Sequence, residues 1–121
     1  MNSSEPTASP TLVFAGGLVG AAGVALSAAA AHLGGAFTGT AASFLLMHAP
    51  VFLAVGLTGA NRFLRIASVA LLAGLLLFAG DLLARDFLGS RLFPMSAPIG
   101  GTLLIAGWLG IAISALVRRR S

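Results

Sequence analysis

The sequence contains no cysteine, no lysine and no tyrosine, and charged residues make up only 8% of its 121 positions. Without cysteine the chain forms no disulfide and offers no thiolate nucleophile or cysteine-ligated metal centre. Without lysine, Schiff-base chemistry is excluded as well. A soluble domain carries about 25% charged residues, so this composition, 58% hydrophobic, is not that of a soluble protein. It predicts one domain surrounded by lipid.

Four long apolar stretches account for most of the chain. A helix needs about 20 mostly apolar residues to cross the ~30 Å of hydrocarbon in a bilayer, and short connections predict that consecutive helices are antiparallel neighbours. The sequence therefore predicts an all-α integral membrane four-helix bundle with up-and-down topology. Segment 1–10 contains no cation, unlike the start of a secretory signal peptide, so the first span is predicted to be a retained anchor. The predicted parts are a disordered segment at 1–10, a transmembrane domain at 11–117 with spans at about 11–31, 41–57, 66–83 and 99–117, and a basic tail at 118–121.

The positions of the arginines predict the orientation of these spans. Translocated short loops carry few basic residues, and only Arg85 and Arg91 fall at one set of span ends. Both termini are thus predicted to be cytoplasmic, in a multi-pass protein of the bacterial inner (plasma) membrane. Because topology accounts for the arginines, the net charge of +4 gives no reason to predict nucleic-acid binding. The arginines at the other ends, which also suit anionic lipid headgroups, are Arg62, Arg65, Arg118, Arg119 and Arg120.

Small residues predict where the helices touch. Lipid tails are as apolar as leucine, so helices in a membrane associate through close packing of small side chains and through hydrogen bonds. Pro50 interrupts the hydrogen-bond ladder of the second span and predicts a kink there. We expect the chain-end helices to pack closely through Gly16, Gly20, Gly23, Gly100, Gly101, Gly107 and Gly110.

Several short motifs together resemble those of one family of membrane proteins. The motifs are FAGDLL at 78–83, PIGGTLLIAGW at 98–108, and the pairs Ala31-His32 and His48-Ala49. Their order and spacing resemble the small bacterial inner-membrane proteins grouped as domain of unknown function 423, over nearly the whole chain. The resemblance implies a four-helix inner-membrane protein and supplies no activity.

Three ionisable residues lie within or beside the apolar stretches, away from the arginine-rich ends. Antiparallel threading places His32, His48 and Asp81 in the outer leaflet, with Arg85 one helical turn after Asp81. One interpretation is a functional polar site for a proton, a metal ion or a small solute. The other is structural, with histidines that hydrogen-bond neighbouring helices and an Asp81–Arg85 ion pair. Haem or zinc ligation by these side chains stays open, but their spacing does not require it, so no cofactor or metal is predicted.

No catalytic residue is predicted, because the chain has no Gly-x-Ser-x-Gly motif for a serine nucleophile. We expect a small structural or accessory subunit of a larger membrane assembly, present as a homo-oligomer or in a complex with other membrane proteins. The alternative is a minimal transporter or proton-conducting element that uses the two histidines and the aspartate. A third possibility is a lipid or quinone binder in the groove beside Trp108 and the Pro50 kink.

The predicted orientation is open to a labelling test. Because the chain has no native cysteine, Thr58→Cys and Ser121→Cys each introduce a single thiol. In intact spheroplasts both are expected to resist an impermeant maleimide and to react once the membrane is permeabilised. Ser90→Cys is the control and should react in both states. Labelling of Thr58→Cys and Ser121→Cys from opposite sides would overturn the topology.

Overall fold

The computed structural model describes residues 8–120, with side chains as far as Val117. In this part of the chain there are four helices and no strand, and each helix is long and apolar enough to cross a membrane. The prediction of an all-α protein with four helices able to span a membrane is therefore confirmed. Residues 1–7 of the segment predicted to be disordered lie outside the described residues, as do the side chains of Arg118, Arg119 and Arg120. The helices are α1 (Pro10–Leu33), α2 (Thr38–Thr58), α3 (Arg62–Phe87) and α4 (Ser96–Arg120).

Local sequence explains several of the helix ends. The Ser9 hydroxyl accepts a hydrogen bond from the amide three residues later, at 3.3 Å, and Pro10 occupies the first helical position, where no N–H is needed. Asn61 caps α3 in the same way, at 2.8 Å. At their other ends, α1 and α2 stop at Gly34 and Gly59, whose φ angles of 77° and 95° favour glycine.

The helices contact one another in chain order. α1 packs on α2, α2 on α3 and α3 on α4, and no other pair of helices among the described residues brings α-carbons within 8 Å. α1 and α2 run in opposite directions, since Gly16 lies beside Ala49 while the later Gly23 lies beside the earlier Leu46. The same holds for α3 and α4, since Gly74 lies beside Gly100 while the later Gly107 lies beside the earlier Leu71. The contacts within α1–α2 and within α3–α4 are the most extensive. The bundle is thus open and consists of two tight hairpins joined along α2 and α3.

The apolar core lies along the two central helices. Phe52, Leu71 and Leu75 are fully buried, and 44% of the most apolar part of α2 and of α3 is buried, against 22% in α1 and α4. α2 continues as one helix through Pro50. Large apolar side chains such as Phe14 and Leu109 are exposed on the edge helices, where the surrounding medium in a membrane is lipid.

Glycine allows close approach of the backbones within each hairpin. A Cβ atom at Gly74 would lie 2.7 Å from the carbonyl oxygen of Gly100, and one at Gly100 would lie 2.6 Å from the amide nitrogen of Phe78. In the other hairpin, a Cβ atom at Gly56 would lie 2.8 Å from Cγ2 of Val13. Glycine at these positions therefore sets how closely α3 approaches α4 and α1 approaches α2.

The glycines singled out from the sequence differ in their surroundings. A Cβ atom at Gly20 would make ordinary contact with Ala49 at 3.5 Å, and one at Gly101 would have no neighbour within 4 Å. The edge helices α1 and α4 pack closely on their chain neighbours and not on each other. Gly56 and Gly74 make equally close contacts but were not singled out. Among the glycines predicted to mediate packing, five would bring an added Cβ atom within 3.0 Å of a neighbouring helix, namely Gly16, Gly23, Gly100, Gly107 and Gly110.

Gly74→Ala is expected to weaken the α3–α4 contact, because the added methyl group meets the α4 backbone and the Cβ atom of Leu103, which cannot move aside as the end of a flexible side chain can. We expect the free energy of unfolding to fall by about 1–3 kcal/mol, as for other overpacked cores, in an SDS titration of the protein in mild detergent. Gly17→Ala is the control, since no atom lies within 4 Å of the new Cβ, and it should keep or slightly raise the stability. Equal stabilities of the two variants would contradict the role given to Gly74.

Candidate functional site

Two groups of polar side chains connect the helices. One group joins the end of α3 to the starts of α2 and α4. The other is the pair His48 and Trp108, which joins α2 to α4. Throughout the described residues, every buried side-chain nitrogen or oxygen has a hydrogen-bond partner. We call the first group the loop-end cluster, and its members are Thr38, Asp81, Arg85, Asp86 and Ser96.

Asp81 is fully buried near the end of α3 and accepts hydrogen bonds at both carboxylate oxygens. Its Oδ1 accepts from the Ser96 hydroxyl at 2.6 Å and from the Leu92 amide at 3.1 Å. Its Oδ2 accepts from Nε and Nη2 of Arg85, at 3.0 Å and 2.9 Å. A buried carboxylate is unfavourable unless it is paired and hydrogen-bonded, and both conditions hold here. Asp81 therefore fixes the 88–95 connection and the first residue of α4 against α3.

Asp86 caps a helix other than its own. Its Oδ2 accepts from the Phe37 amide at 2.9 Å, and from the amide and the hydroxyl of Thr38, each at 2.6 Å. Phe37 precedes α2 and has no side chain that can cap it, so α3 supplies the acceptor that the first amides of α2 need. A carboxylate at a helix N-terminus also interacts favourably with the helix dipole. The Arg85 guanidinium, 5.3 Å from the centre of the Phe37 ring, adds a cation–π contact.

His48 lies in the middle of α2, is buried, and uses both of its ring nitrogens. Its Nε2 lies 3.1 Å from Nε1 of Trp108, and its Nδ1 lies 2.7 Å from the carbonyl oxygen of Phe44. An indole N–H can only donate, so Nε2 accepts and the proton of the neutral imidazole is on Nδ1, which donates to Phe44. This pair is a direct side-chain link between α2 and α4, whose backbones do not touch.

An apolar cleft of about 330 Å³ lies beside this pair, between α2, α3 and α4. The ring centres of Phe44 and Phe78 are 4.6 Å apart, and those of His48 and Trp108 are 5.7 Å apart. Gly101 contributes to the wall without a side chain, so the space in front of it stays open. The remaining lining residues are Met47, Leu104 and Ile105.

The two histidines and the aspartate that were predicted to form one polar site do not contact one another in the structure. Asp81 pairs with Arg85 and His48 with Trp108, whereas His32 is exposed in the last turn of α1. Within residues 8–117, no three His, Asp or Glu side chains are close enough to hold one metal ion. Two of the arginines predicted to face the cytoplasm are exposed at the start of α3, namely Arg62 and Arg65.

Sequence reasoning missed Thr38, Asp86 and Ser96, and it named Trp108 only beside a groove and not as the partner of His48. A lone tryptophan in the middle of a span does signal that its N–H needs an acceptor, and a carboxylate at a helix end signals a possible cap. Neither signal identifies the partner, because Thr38 is 48 residues from Asp86 and His48 is 60 residues from Trp108.

Comparison with known proteins identifies the family. A family model described as protein of unknown function (DUF423) matches residues 19–101, from within α1 to the first turns of α4. The chain belongs to this family. It is also 37% identical over 75 residues to a UPF0382 membrane protein of Haemophilus influenzae, so the match spans 60% of the chain and only 60% of that relative's length. No solved structure matches the chain.

The DUF423 match and the relative confirm two predictions. The resemblance stated from the motifs is confirmed, and so is the localisation as a multi-pass membrane protein. The matched residues include His48 and the loop-end cluster and end before Trp108. The DUF423 description assigns no activity to the family.

Asp81→Asn is expected to lower the free energy of unfolding by about 3 kcal/mol, because it leaves the half-buried Arg85 without its counter-charge. Asp86→Asn weakens only a helix cap, so we expect a smaller loss. The same SDS titration, with circular dichroism to follow helix content, ranks the two variants. A larger loss for Asp86→Asn would contradict the anchoring role of Asp81.

Proposed function

We propose that this protein is a non-catalytic structural component of the inner membrane that acts as an accessory subunit of a larger membrane assembly. Two features of the described residues support the proposal. The buried polar side chains bond within the chain, so they stabilise its own helices. The edge helices α1 and α4, by contrast, leave most of their apolar surface without a partner in the chain.

The surface of α1 is the observation that carries the proposal. Among the described helices, only α2 brings its α-carbons within 8 Å of those of α1. Leu12 and Val19 of α1 are buried, while Phe14, Leu18 and Val24 are more than half exposed. Most exposed positions between these large side chains are alanine or glycine, which gives the helix a surface of ridges and hollows. Another membrane helix packs into such a surface by shape, without needing a hydrophobic driving force.

The alternative, a transporter or proton conductor built on His32, His48 and Asp81, has less support from this geometry. A proton path needs polar groups that pass a proton from one to the next. His48 bonds to Phe44 and Trp108, and Asp81 bonds to its own helix, to the 88–95 connection and to the first residue of α4. Neither side chain is a hydrogen-bond partner of the other.

In the proposed assembly both termini face the cytoplasm, as the arginine distribution favours. The loop-end cluster then faces the outer side of the membrane. The lipid-facing edges remain available to a second copy of the chain or to a different membrane protein, and the experiment separates the two.

A photo-reactive amino acid at Leu18 tests this proposal against a matched position at Val19. The two residues are adjacent in depth, but Leu18 is 56% exposed and Val19 only 6%. In intact membranes the Leu18 probe is expected to form protein adducts heavier than the chain, and the Val19 probe only links within the chain. Cells that express the chain with two different tags reveal whether an adduct contains a second copy. Lipid adducts alone at Leu18, with the expected links within the chain at Val19, would reject the accessory role.

A further inference from the structure

The cleft between α2, α3 and α4 has the size and the lining of a binding site. Its volume of about 330 Å³ falls within the ~300–1,000 Å³ of small-molecule sites, which are lined mainly by apolar and aromatic side chains. The rings of Phe44, Phe78 and Trp108 form much of the wall. Gly101 keeps part of the space open, since no atom lies within 4 Å of the position that its Cβ would take.

The polar atoms of the lining are already paired. The Trp108 indole donates to Nε2 of His48, and Nδ1 of His48 donates to the Phe44 carbonyl oxygen. A polar ligand group entering the cleft would lose its solvation and gain no hydrogen bond unless it broke one of these. The lining therefore favours a hydrocarbon over a ring or headgroup with polar atoms.

The cleft lies at the depth of lipid chains. With α2 beginning at Thr38, Phe44 is about 9 Å and His48 about 15 Å along the helix at 1.5 Å per residue. Half of the ~30 Å hydrocarbon thickness is also about 15 Å. The cleft thus extends from beneath the loop-end cluster to near the bilayer centre, within the hydrocarbon of one leaflet.

We propose that this cleft binds one acyl chain of a membrane phospholipid, supplied by the leaflet on the side of the loop-end cluster. Met47 and Ile105 are exposed beside it, so an acyl chain enters sideways from the surrounding lipid. The apolar lining does not attract water, and it gains dispersion contacts from any hydrocarbon that lies against it. The acyl chain supplies those contacts, and the fit to the aromatic rings distinguishes a bound chain from bulk lipid.

The protein contains a natural fluorescent probe for this site, the side chain of Trp108. Trp108 is the only tryptophan and there is no tyrosine. Its ring lines the cleft and the residue is 42% exposed, so the intrinsic emission reports on the cleft and on the lipid beside it. We would reconstitute the protein in nanodiscs of phosphatidylcholine whose acyl chains carry bromine, which quenches tryptophan on contact. Bromine placed mid-chain is expected to quench Trp108 strongly, and bromine near the headgroup to quench it less.

Gly101→Leu fills the open space and is expected to lose a large part of the mid-chain quenching, while Gly101→Ala loses a smaller part. Gly17→Leu is the matched control, because Gly17 also has no atom within 4 Å of its added Cβ but lies on α1, away from the cleft. It should keep the quenching of the unmodified protein. Emission in unbrominated lipid and circular dichroism check that each variant keeps the fold. If Gly101→Leu does not fold, the quenching of Gly101→Ala, which adds one methyl group, is compared with that of the unmodified protein instead.

Native mass spectrometry in mild detergent provides a second readout. The unmodified protein and Gly17→Leu are expected to retain one phospholipid per chain, and Gly101→Leu to lose it. Equal quenching in Gly101→Leu and the unmodified protein, with the fold intact, would overturn the proposal. Retention of an isoprenoid quinone in place of a phospholipid would also overturn it.

Discussion

Hydrocarbon offers no water to a polar side chain, so each polar group inside a membrane must find its partner within the protein. In this chain the partners come from different elements. Asp86 of α3 bonds to the start of α2, and Trp108 of α4 bonds to His48 of α2. These bonds cross from one hairpin to the other, where the helix contacts are least extensive. The need to pair polar groups thus helps to determine how the two hairpins are placed relative to each other.

Within each hairpin a different interaction dominates. Glycines such as Gly56 and Gly74 bring backbone against backbone, which leaves little freedom to slide or separate. Between the hairpins, aromatic rings and the His48–Trp108 bond replace glycine, and the helix contacts are less extensive. The cleft beside Gly101 lies in this looser region. Tight and loose packing therefore alternate across the molecule.

Composition and hydropathy were sufficient to predict the four helices, and short motifs were sufficient to predict the family. The four-residue spacing of Asp81 and Arg85 also predicted that the two side chains are neighbours on one helical face, and in the structure they form an ion pair. Contacts between residues far apart in the sequence could not be predicted, because the periodicity of apolar residues describes one helix at a time. Gly100 and Gly101 illustrate this: they are adjacent and chemically identical, yet one meets α3 and the other meets open space. Only the rotation of α4 about its axis distinguishes them.

The capping of α2 by Asp86 has a consequence for biogenesis. Synthesis proceeds from the N-terminus, so the first hairpin is complete before the carboxylate that binds its Phe37 and Thr38 amides has been made. The hydrogen bonds at the tip of that hairpin consequently form only after the third helix has been translated and inserted. A chain that ends before Asp86 lacks the acceptor for those amides. The unpaired Phe37 and Thr38 amides then distinguish an incomplete chain from a complete one.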